Sequence, residues 1–345
     1  MDRWKSKSDR KMKMNKRFTR KTAWLAFMVL AAVLTACAAP GAGGTPTAGS
    51  SPGALKVRTT TDIVADVVRQ VGGEYVNVDS LMSPGQDPHN FEPTPQDIAK
   101  VSDANLLFIN GAGLEAGFID RLISNAGVQD RTVSVSQGIQ LLSPPGAGQA
   151  GTAETGGDPH TWTDPNNVKA WVDNIVYALE QVDRTHAVAY ENNGAQYKAQ
   201  LDTLDQWIRT QVQAIPQDHR QIVSDHEFFT YFAHEYGFEM VGALIPGYSS
   251  DAQPSARDLA NLEDAIKKYG VDAIFVGVSS NPTLANQVAQ DTGAKVVRIY
   301  TGELSAPGQG AGTYIEYMHY DVNQIVQALA PGSRPPAQSG ATTTP

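Results

Sequence analysis

The chain has 345 residues, a single cysteine, seven histidines and a formal net charge of −9 at pH 7. One cysteine excludes an intrachain disulfide in any compartment, and the acidic balance argues against nucleic acid as a partner. The length is enough for two domains of ordinary size, even when the ends are set aside.

The N-terminal region has the composition of a lipoprotein signal peptide. The first 23 residues contain ten Lys/Arg and two Asp, and they precede the unbroken apolar run Leu25–Leu34. This run is too short to span a bilayer, which takes roughly 20 residues, but it suits a signal-peptide core. The sequence LTAC at Leu34–Cys37 resembles the bacterial lipobox. We therefore predict a signal peptide over residues 1–36 and a lipid on Cys37, which would anchor the protein to the outer face of the cell membrane.

Three further segments have compositions typical of flexible chain. Residues 37–54 are rich in Gly, Pro, Ala and Thr and are predicted to form a tether, and residues 331–345 are predicted to be a disordered tail. The segment Ser143–Gly157 is predicted to be a mobile loop, and it contains no histidine. Without the ten Lys/Arg and two Asp of the first 23 residues, 17 Lys/Arg remain against 34 Asp/Glu, a net charge of −17. This negative charge is compatible with a cationic ligand but does not identify one.

Strand and helix patterns alternate between the tether and the tail. In residues 55–185 the strand patterns are LKVRTT, YVNVDSLM, NLLFING and RTVSVSQG. One intervening helix is predicted to begin at Pro95, with Thr94 as its N-cap, and a later one begins after Asp164 in the same way. Such alternation predicts a four-stranded parallel sheet with helices on its faces, which forms an N-terminal α/β lobe.

A long helix is predicted next, over residues 186–215. No Pro interrupts it and Gly194 is its one weak point; its apolar residues recur near a 3.6-residue period at Tyr190, Tyr197, Leu201, Leu204, Ile208 and Val212. In residues 216–330 the strand patterns RQIVS, FEMVGAL, VDAIFVG and AKVVRIY alternate with helical patterns, of which the first is predicted to run from His226 to Gly237. The chain is therefore predicted to be an α/β protein with two lobes, each a four-stranded parallel sheet with flanking helices, joined by one long rigid helix.

Three of the histidines lie in positions suited to a shared site, two of them in loops that lead to a predicted helix beginning with Pro and one just after a predicted strand. His89 and His160 each stand in an Asp-Pro-His sequence, and His226 comes just after the strand RQIVS. Ligands of parallel α/β sheets bind beyond the carboxyl ends of the strands, and neutral imidazole is a natural zinc ligand. The other four histidines are predicted to have ordinary surface or packing roles; they are His186, His219, His234 and His319.

The sequence contains no HExxH, GxSxG or Walker motif, and no GxGxxG after a strand. A zinc hydrolase stays open as a hypothesis, because three histidines with an open position also describe a catalytic zinc site. Glu92, Asp158 and Asp164 lie near the candidate ligands and are interpreted as capping or supporting residues. An adhesin function would leave no recognisable motif.

Four motifs resemble the metal-specific solute-binding lipoproteins of bacterial ABC importers. They are DPHNFEPTPQD, DPHTWTDP, SDHEFFTYFAHEYGFEMVG and TYIEYMHYDV, and they occur in this order between about Leu55 and Leu329. The resemblance implies two α/β lobes joined by one long helix, and an ABC permease in the membrane as the partner. It also implies that His89, His160 and His226 bind the metal. We expect the protein to act as a monomer.

The fourth metal ligand is where the chain departs from the family pattern. Many relatives carry an Asp in a T-D-S-L-like turn before the last helix, whereas the turn here reads TGELS, with Gly302 in the place of the Asp. Glu303, one residue later, or a water molecule is left as the fourth ligand.

The resemblance implies an extracytoplasmic receptor that captures a divalent metal ion for an importer, and not an enzyme. Zinc-type relatives have His at the position of His226, whereas manganese-type relatives usually have Glu. Three imidazoles with at most one carboxylate favour Zn²⁺, because Mn²⁺ prefers harder oxygen ligands. A manganese or broad-specificity receptor is the alternative.

Overall fold

A computed structural model describes residues 53–143, 156–250 and 252–331, all within one compact unit, Ala48–Pro345. The predicted signal peptide, Cys37, most of the tether, the interior of the predicted mobile loop and nearly all of the predicted tail lie outside the described residues. No helix within the described ranges combines the length and the apolar character needed to cross a membrane.

The first lobe contains one parallel sheet. Its strands are β1 (Leu55–Thr59), β2 (Val76–Ser80), β3 (Leu106–Ile109) and β4 (Thr132–Ser134), and its helices are α1 (Asp62–Gly72), α2 (Pro95–Ser102), α3 (Ile119–Ala126) and α4 (Pro165–Val182). The strand order is β2-β1-β3-β4. Because β1 pairs with β2 on one side and with β3 on the other, the strand order reverses beside β1, and a ligand crevice is expected at the carboxyl ends of these strands.

Local signals explain where three of the four helices of this lobe begin. The Thr61 side chain caps α1 by accepting a hydrogen bond from the Val64 backbone, and Thr94 and Asp97 form a reciprocal capping box at the start of α2. Asp164 caps α4 ahead of a Pro in the first turn. Each cap satisfies backbone N–H groups that have no partner within the helix.

Helix α5 (Ala187–Val212) joins the two lobes and follows a 3-10 turn. Its 26 residues span about 39 Å at about 1.5 Å per residue. All six apolar positions of the predicted stripe are buried, and so is Gly194. A Cβ atom on Gly194 would lie 2.7 Å from Cγ2 of Val176 on α4. Gly194 therefore permits the close approach of α4 and α5. From the sequence it was interpreted only as a weak point of the predicted helix.

The second lobe repeats the architecture of the first. Its strands are β5 (Gln221–Ser224), β6 (Glu239–Ala243), β7 (Ala273–Gly277) and β8 (Lys295–Ile299), and its helices are α6 (Thr230–Tyr236), α7 (Ala256–Tyr269), α8 (Thr283–Thr292) and α9 (Tyr314–Leu329). The sheet is parallel with the order β6-β5-β7-β8. All five residues of β7 are buried, as expected for a strand covered by helices on both faces of a parallel sheet.

One hydrophobic cluster runs through both lobes. It includes Val57 and Phe108 of the first sheet, Leu204 of α5 and Phe275 of the second sheet. The two lobes therefore share a core in which the connecting helix is embedded. The predicted fold, two four-stranded parallel α/β lobes joined by one long helix, is confirmed.

The prediction that the first helix of the second lobe begins at His226 is wrong. Helix α6 begins at Thr230, and the preceding residues have other hydrogen-bond partners. The backbone N–H of His226 donates to Asp225 Oδ1, and that of Glu227 donates to the carbonyl of Gly247. The carbonyl of His226, which would accept the first hydrogen bond of a longer helix, instead accepts from Ser224 Oγ at 2.6 Å, and His226 lies in a loop at the end of β5.

Candidate metal centre

His89 lies in a short 3-10 turn, Pro88–Asn90, which follows β2. The Asp87 side chain shapes this turn, because its Oδ1 accepts a hydrogen bond from the backbone N–H of His89 at 2.9 Å. Its Oδ2 accepts a second hydrogen bond from Ser250 of the other lobe at 2.6 Å. An Asp side chain that binds the backbone two residues later is a common turn-forming arrangement, and here it sets the position of the histidine.

His160 stands in the second Asp-Pro-His sequence and repeats this arrangement. Asp158 Oδ1 accepts from the backbone N–H of His160 at 2.8 Å and also lies 2.7 Å from Nδ1 of the same imidazole. Both residues are almost completely buried. Because a carboxylate only accepts, Nδ1 carries the hydrogen, and the lone pair of Nε2 is left for a ligand. The repeated motif therefore has a physical basis in how Asp orients a histidine two positions later.

His226 receives similar support from the residue directly before it. Asp225 Oδ1 lies 2.8 Å from the backbone nitrogen of His226 and 2.8 Å from its Nδ1. The second oxygen of Asp225 accepts from the Gly277 backbone at 2.8 Å and from Ser280 Oγ at 2.9 Å. The His226 ring is thus oriented by a carboxylate that is itself fixed to β7, and its Nε2 is left without a hydrogen-bond partner.

The three imidazoles come together between the lobes. Their ring centroids are 5.1 to 5.2 Å apart, and one nitrogen of each lies within 4.8 Å of the other two. The Nε2 atoms of His89 and His160 are 3.1 Å apart. Two ligands of a tetrahedral zinc ion at about 2.1 Å are separated by about 3.4 Å, so this pair is already close to the spacing that a single ion requires.

Burial and charge act differently on the three rings. Burial, reinforced by the two neighbouring imidazoles, lowers the pKa of His89 to about 2. Burial also lowers the pKa of His160, although Asp158 opposes the shift. For His226 burial again lowers the pKa, but the charge and hydrogen bond of Asp225 outweigh it and the net shift is upward. The two first-lobe rings are therefore neutral near pH 7, which is the form that binds a metal ion.

Glu303 does not join this group of histidines. Its side chain is completely buried, and its Oε2 accepts from the backbone N–H of Gly302 at 2.9 Å. Its Oε1 is buried without a hydrogen-bond partner. Within residues 53–143, 156–250 and 252–331, the metal-ligand group of three or more His, Cys, Asp or Glu side chains consists of the three histidines alone.

The remaining histidines lie elsewhere and have other contacts. His186 lies 2.6 Å from Asp183, His219 lies 2.7 Å from Asp272, and the His319 ring packs against Trp207. His234 is exposed on α6, and so is Glu92 in the first lobe. None of these residues belongs to the three-histidine group.

Asp87 and Asp225 were not predicted to support the candidate histidines. The available signal was an acid one or two residues before each candidate histidine, in the sequences DPH, DPH and SDH. Asp158 and Asp164 were interpreted as supporting or capping residues. In the structure Asp158 contacts the His160 ring, and Asp164 caps α4.

Residues 57–328 match the family model described as zinc-uptake complex component A, periplasmic. The chain belongs to this family. Members of the family are metal-binding components of uptake systems, so the protein is a transport receptor and the hydrolase hypothesis is set aside.

Characterised relatives cover almost the whole chain. It is 33% identical over 305 residues to the manganese-binding lipoprotein MntA of Halalkalibacterium halodurans, which covers 88% of this chain and 96% of the relative. It is 32% identical over 317 residues to MntA of Bacillus subtilis, covering 87% of this chain and 98% of the relative. These relatives are named for manganese, whereas the matching family model is named for zinc.

Solved structures agree with the fold. The periplasmic zinc-binding protein TroA of Treponema pallidum superposes with a TM-score of 0.72 at 27% identity, covering 81% of this chain and all of that one. A manganese-bound periplasmic protein from Candidatus Liberibacter asiaticus superposes with a TM-score of 0.71 at 23% identity, covering 80% of this chain and 99% of that one. The second likeness supports the fold alone.

Proposed function

We propose that this protein captures Zn²⁺ outside the cytoplasm and delivers it to the membrane permease of an ABC importer. The observation that carries the proposal is the convergence of three imidazoles, His89, His160 and His226, whose ligand atoms lie within 4.8 Å of one another. Family membership supports the role in uptake. The metal ion is the cargo in this proposal, so the site must both bind it and release it.

The donor set supports zinc over manganese. Imidazole suits Zn²⁺, whereas Mn²⁺ favours carboxylate, carbonyl and water oxygens. Asp158 and Asp225 contact the Nδ1 atoms of two of the rings, and such carboxylate–histidine pairs raise the basicity of the metal-binding nitrogen. Glu303, with one buried oxygen free of hydrogen bonds, is the candidate for a fourth ligand, and a water molecule is the alternative.

Manganese is the second candidate cargo, because two relatives that match most of the chain are named for it. The two cargoes can be separated by metal analysis of protein purified without added metal, followed by competitive titration with Zn²⁺ and Mn²⁺. We expect one Zn²⁺ per chain. Zinc binds most nitrogen sites more tightly than manganese does, so tight zinc binding alone does not identify the cargo and a reference variant is needed. His226→Glu replaces one nitrogen ligand by an oxygen ligand and should bind Mn²⁺ more tightly than the parent. Stoichiometric manganese in the parent, with zinc supplied at equal concentration, would contradict the zinc assignment.

The location is proposed from the N-terminal sequence and from the lipoprotein names of the relatives. Cys37, after the apolar run, is the proposed site of lipidation, and the receptor is proposed to act as a monomer on the outer face of the membrane. Cys37→Ser should release the protein from the membrane fraction. If this variant stays with the membranes after a high-salt wash, lipid attachment at Cys37 is wrong.

A further inference from the structure

Helix α1 of the first lobe carries two buried acids that the metal centre does not use. Asp62 is 7% exposed and Asp66 is 5% exposed, and the two lie one helical turn apart on the same face. Asp62 Oδ2 accepts a hydrogen bond from the backbone N–H of Leu304 at 2.9 Å. Asp66 Oδ2 accepts from the backbone N–H of Tyr314, also at 2.9 Å. Both donors belong to the segment that leads from the second sheet to α9.

Those two backbone groups depend on the carboxylates. Leu304 and Tyr314 are buried, and Tyr314 is the first residue of α9, where a backbone N–H has no partner within its own helix. The N-cap residue Thr313 accepts from the N–H of Glu316 instead. A buried N–H without an acceptor is strongly disfavoured. The two acids of α1 supply the acceptors for these N–H groups of the second lobe.

Further contacts fasten the same segment to the first lobe. The backbone N–H of Gly85 donates to the carbonyl of Leu304 at 3.1 Å, and the Trp162 indole donates to the carbonyl of Thr301 at 3.1 Å. Gly302 packs so closely on the Pro88 ring that a Cβ atom there would lie 2.9 Å from its Cγ. Pro88 directly precedes His89. The segment follows the last strand of the second sheet, but it packs against first-lobe residues beside His89.

We infer that Asp62 and Asp66 are positioning residues, which hold segment 301–314 against the first lobe and thereby set the affinity of the metal centre. This segment carries Glu303 and contacts the turn that presents His89. Loss of an acceptor on α1 would free the segment, and closing the centre around a metal ion would then require it to be ordered again. This inference rests on the proposed metal-binding function. It assigns a role in metal affinity to Asp62 and Asp66, whose side chains form no hydrogen bond with the candidate metal ligands and bind Leu304 and Tyr314 instead.

The test compares Asp62→Ala with Asp62→Asn in the full chain, purified in mild detergent. Alanine removes the acceptor, whereas the asparagine amide oxygen can still accept from Leu304. We expect Asp62→Ala to weaken Zn²⁺ binding about tenfold, or about 1.4 kcal/mol, and Asp62→Asn to stay within about threefold of the parent. Hydrogen exchange of peptides spanning residues 300–314, measured without metal, should increase in Asp62→Ala alone.

A matched control is Asp258→Ala. Asp258 is also an acid in the first turn of a helix, and it forms the capping box of α7 with Ser255, but it is exposed to solvent and its side chain binds within its own helix start. This variant should lose stability and keep the zinc affinity of the parent. If Asp62→Ala does not fold, the pair Asp66→Ala and Asp66→Asn repeats the test at Tyr314.

The outcomes separate this inference from the proposed function. If the parent binds zinc and Asp62→Ala binds it equally well, the positioning role is wrong and the proposed function stands. If the parent binds no zinc, the proposed function fails. Exchange at residues 300–314 that is the same in the parent and in Asp62→Ala would overturn the attachment itself, whatever the metal result.

Discussion

The first lobe contributes two imidazoles to the three-histidine group and the second lobe contributes one, although the two sheets have the same strand order. In the first lobe an Asp two residues before each histidine binds its backbone N–H. In the second lobe the Asp directly precedes the histidine and is also bound to the neighbouring strand. The shared topology thus provides equivalent loops in the two lobes, and the short Asp–His motifs in those loops decide how many histidine rings each lobe contributes to the group.

The electrostatic settings of the two lobes also differ. The rings of His89 and His160 have lowered pKa values, with burial as the main cause, whereas Asp225 raises that of His226. Asp158 has one oxygen without a hydrogen-bond partner, but both oxygens of Asp225 are bound. The first lobe therefore offers a preformed pair of neutral ligands, and the second offers one ring fixed by a carboxylate network.

The comparison predicts that His226→Ala has the largest effect. Loss of the one imidazole that the second lobe contributes to the three-histidine group should weaken zinc binding at least about a hundredfold, about 2.8 kcal/mol, and should reduce any closure of the lobes on metal addition. Competitive zinc titration and small-angle scattering in the same buffer measure the two effects. The control is His234→Ala, because His234 is exposed on α6. Equal losses in the two variants would refute the site.

The carboxylates beside the rings should have the next largest effects. Asp158→Ala and Asp225→Ala should each weaken zinc binding roughly 10- to 100-fold, as expected for partners that orient a metal-binding histidine. Both changes remove the acceptor of a histidine backbone N–H, but Asp225→Ala also leaves the buried N–H of Gly277 without its acceptor and should therefore lower the free energy of unfolding by about 1–3 kcal/mol more than Asp158→Ala does. Urea unfolding of the metal-free proteins measures this difference. Equal stabilities would show that the network around Asp225 has no special structural role.

Gly302→Ala tests how closely the lobes must approach at the centre. Its new Cβ atom would lie 2.9 Å from Cγ of Pro88, so the segment and the His89 turn must separate slightly. We expect zinc binding to weaken about fivefold, or about 1 kcal/mol, with little change in the unfolding of the metal-free protein. Gly312→Ala is the matched control in the same segment, since its nearest contact would be at 3.5 Å. Weaker binding in the Gly312 variant than in the Gly302 variant would contradict this prediction.

The smallest expected effect concerns stability where the two lobes meet. Burial, with repulsion from Glu235 and Asp205, raises the pKa of Asp164 to about 6. A carboxyl group that binds its proton more tightly in the folded state contributes less stability as the pH rises from about 4 to about 6. Asp164→Asn should therefore gain about 1 kcal/mol relative to the parent on going from pH 5.5 to pH 7.5. Urea unfolding at both pH values measures this, and a difference that does not change with pH would contradict it.

The order of the elements could be predicted from the sequence because the signals are local. Thr94 and Asp164 cap helices where the pattern places them, and the apolar stripe of α5 is buried as predicted. The start of α6 could not be predicted, since HEFFTYFAHEYG reads as one continuous helix. The His226 carbonyl, which would accept the first hydrogen bond of a longer helix, accepts from the Ser224 hydroxyl instead. The Glu227 N–H donates to Gly247, twenty residues later, and no local pattern records that contact.

The candidate site shows the same division. The sequence by itself determined which histidines follow strand ends and which carry an adjacent acid, because the strand, the turn and the Asp that orients the ring all lie within a few residues. Only the tertiary structure decided that one nitrogen of each of the three rings lies within 4.8 Å of the other two and that Glu303 is buried outside their group. It also decided that Asp62 and Asp66 bind a segment more than 240 residues away. An acid on an amphipathic helix has the same pattern whether it faces solvent or a buried amide, and its partner is known only once the two lobes are packed together.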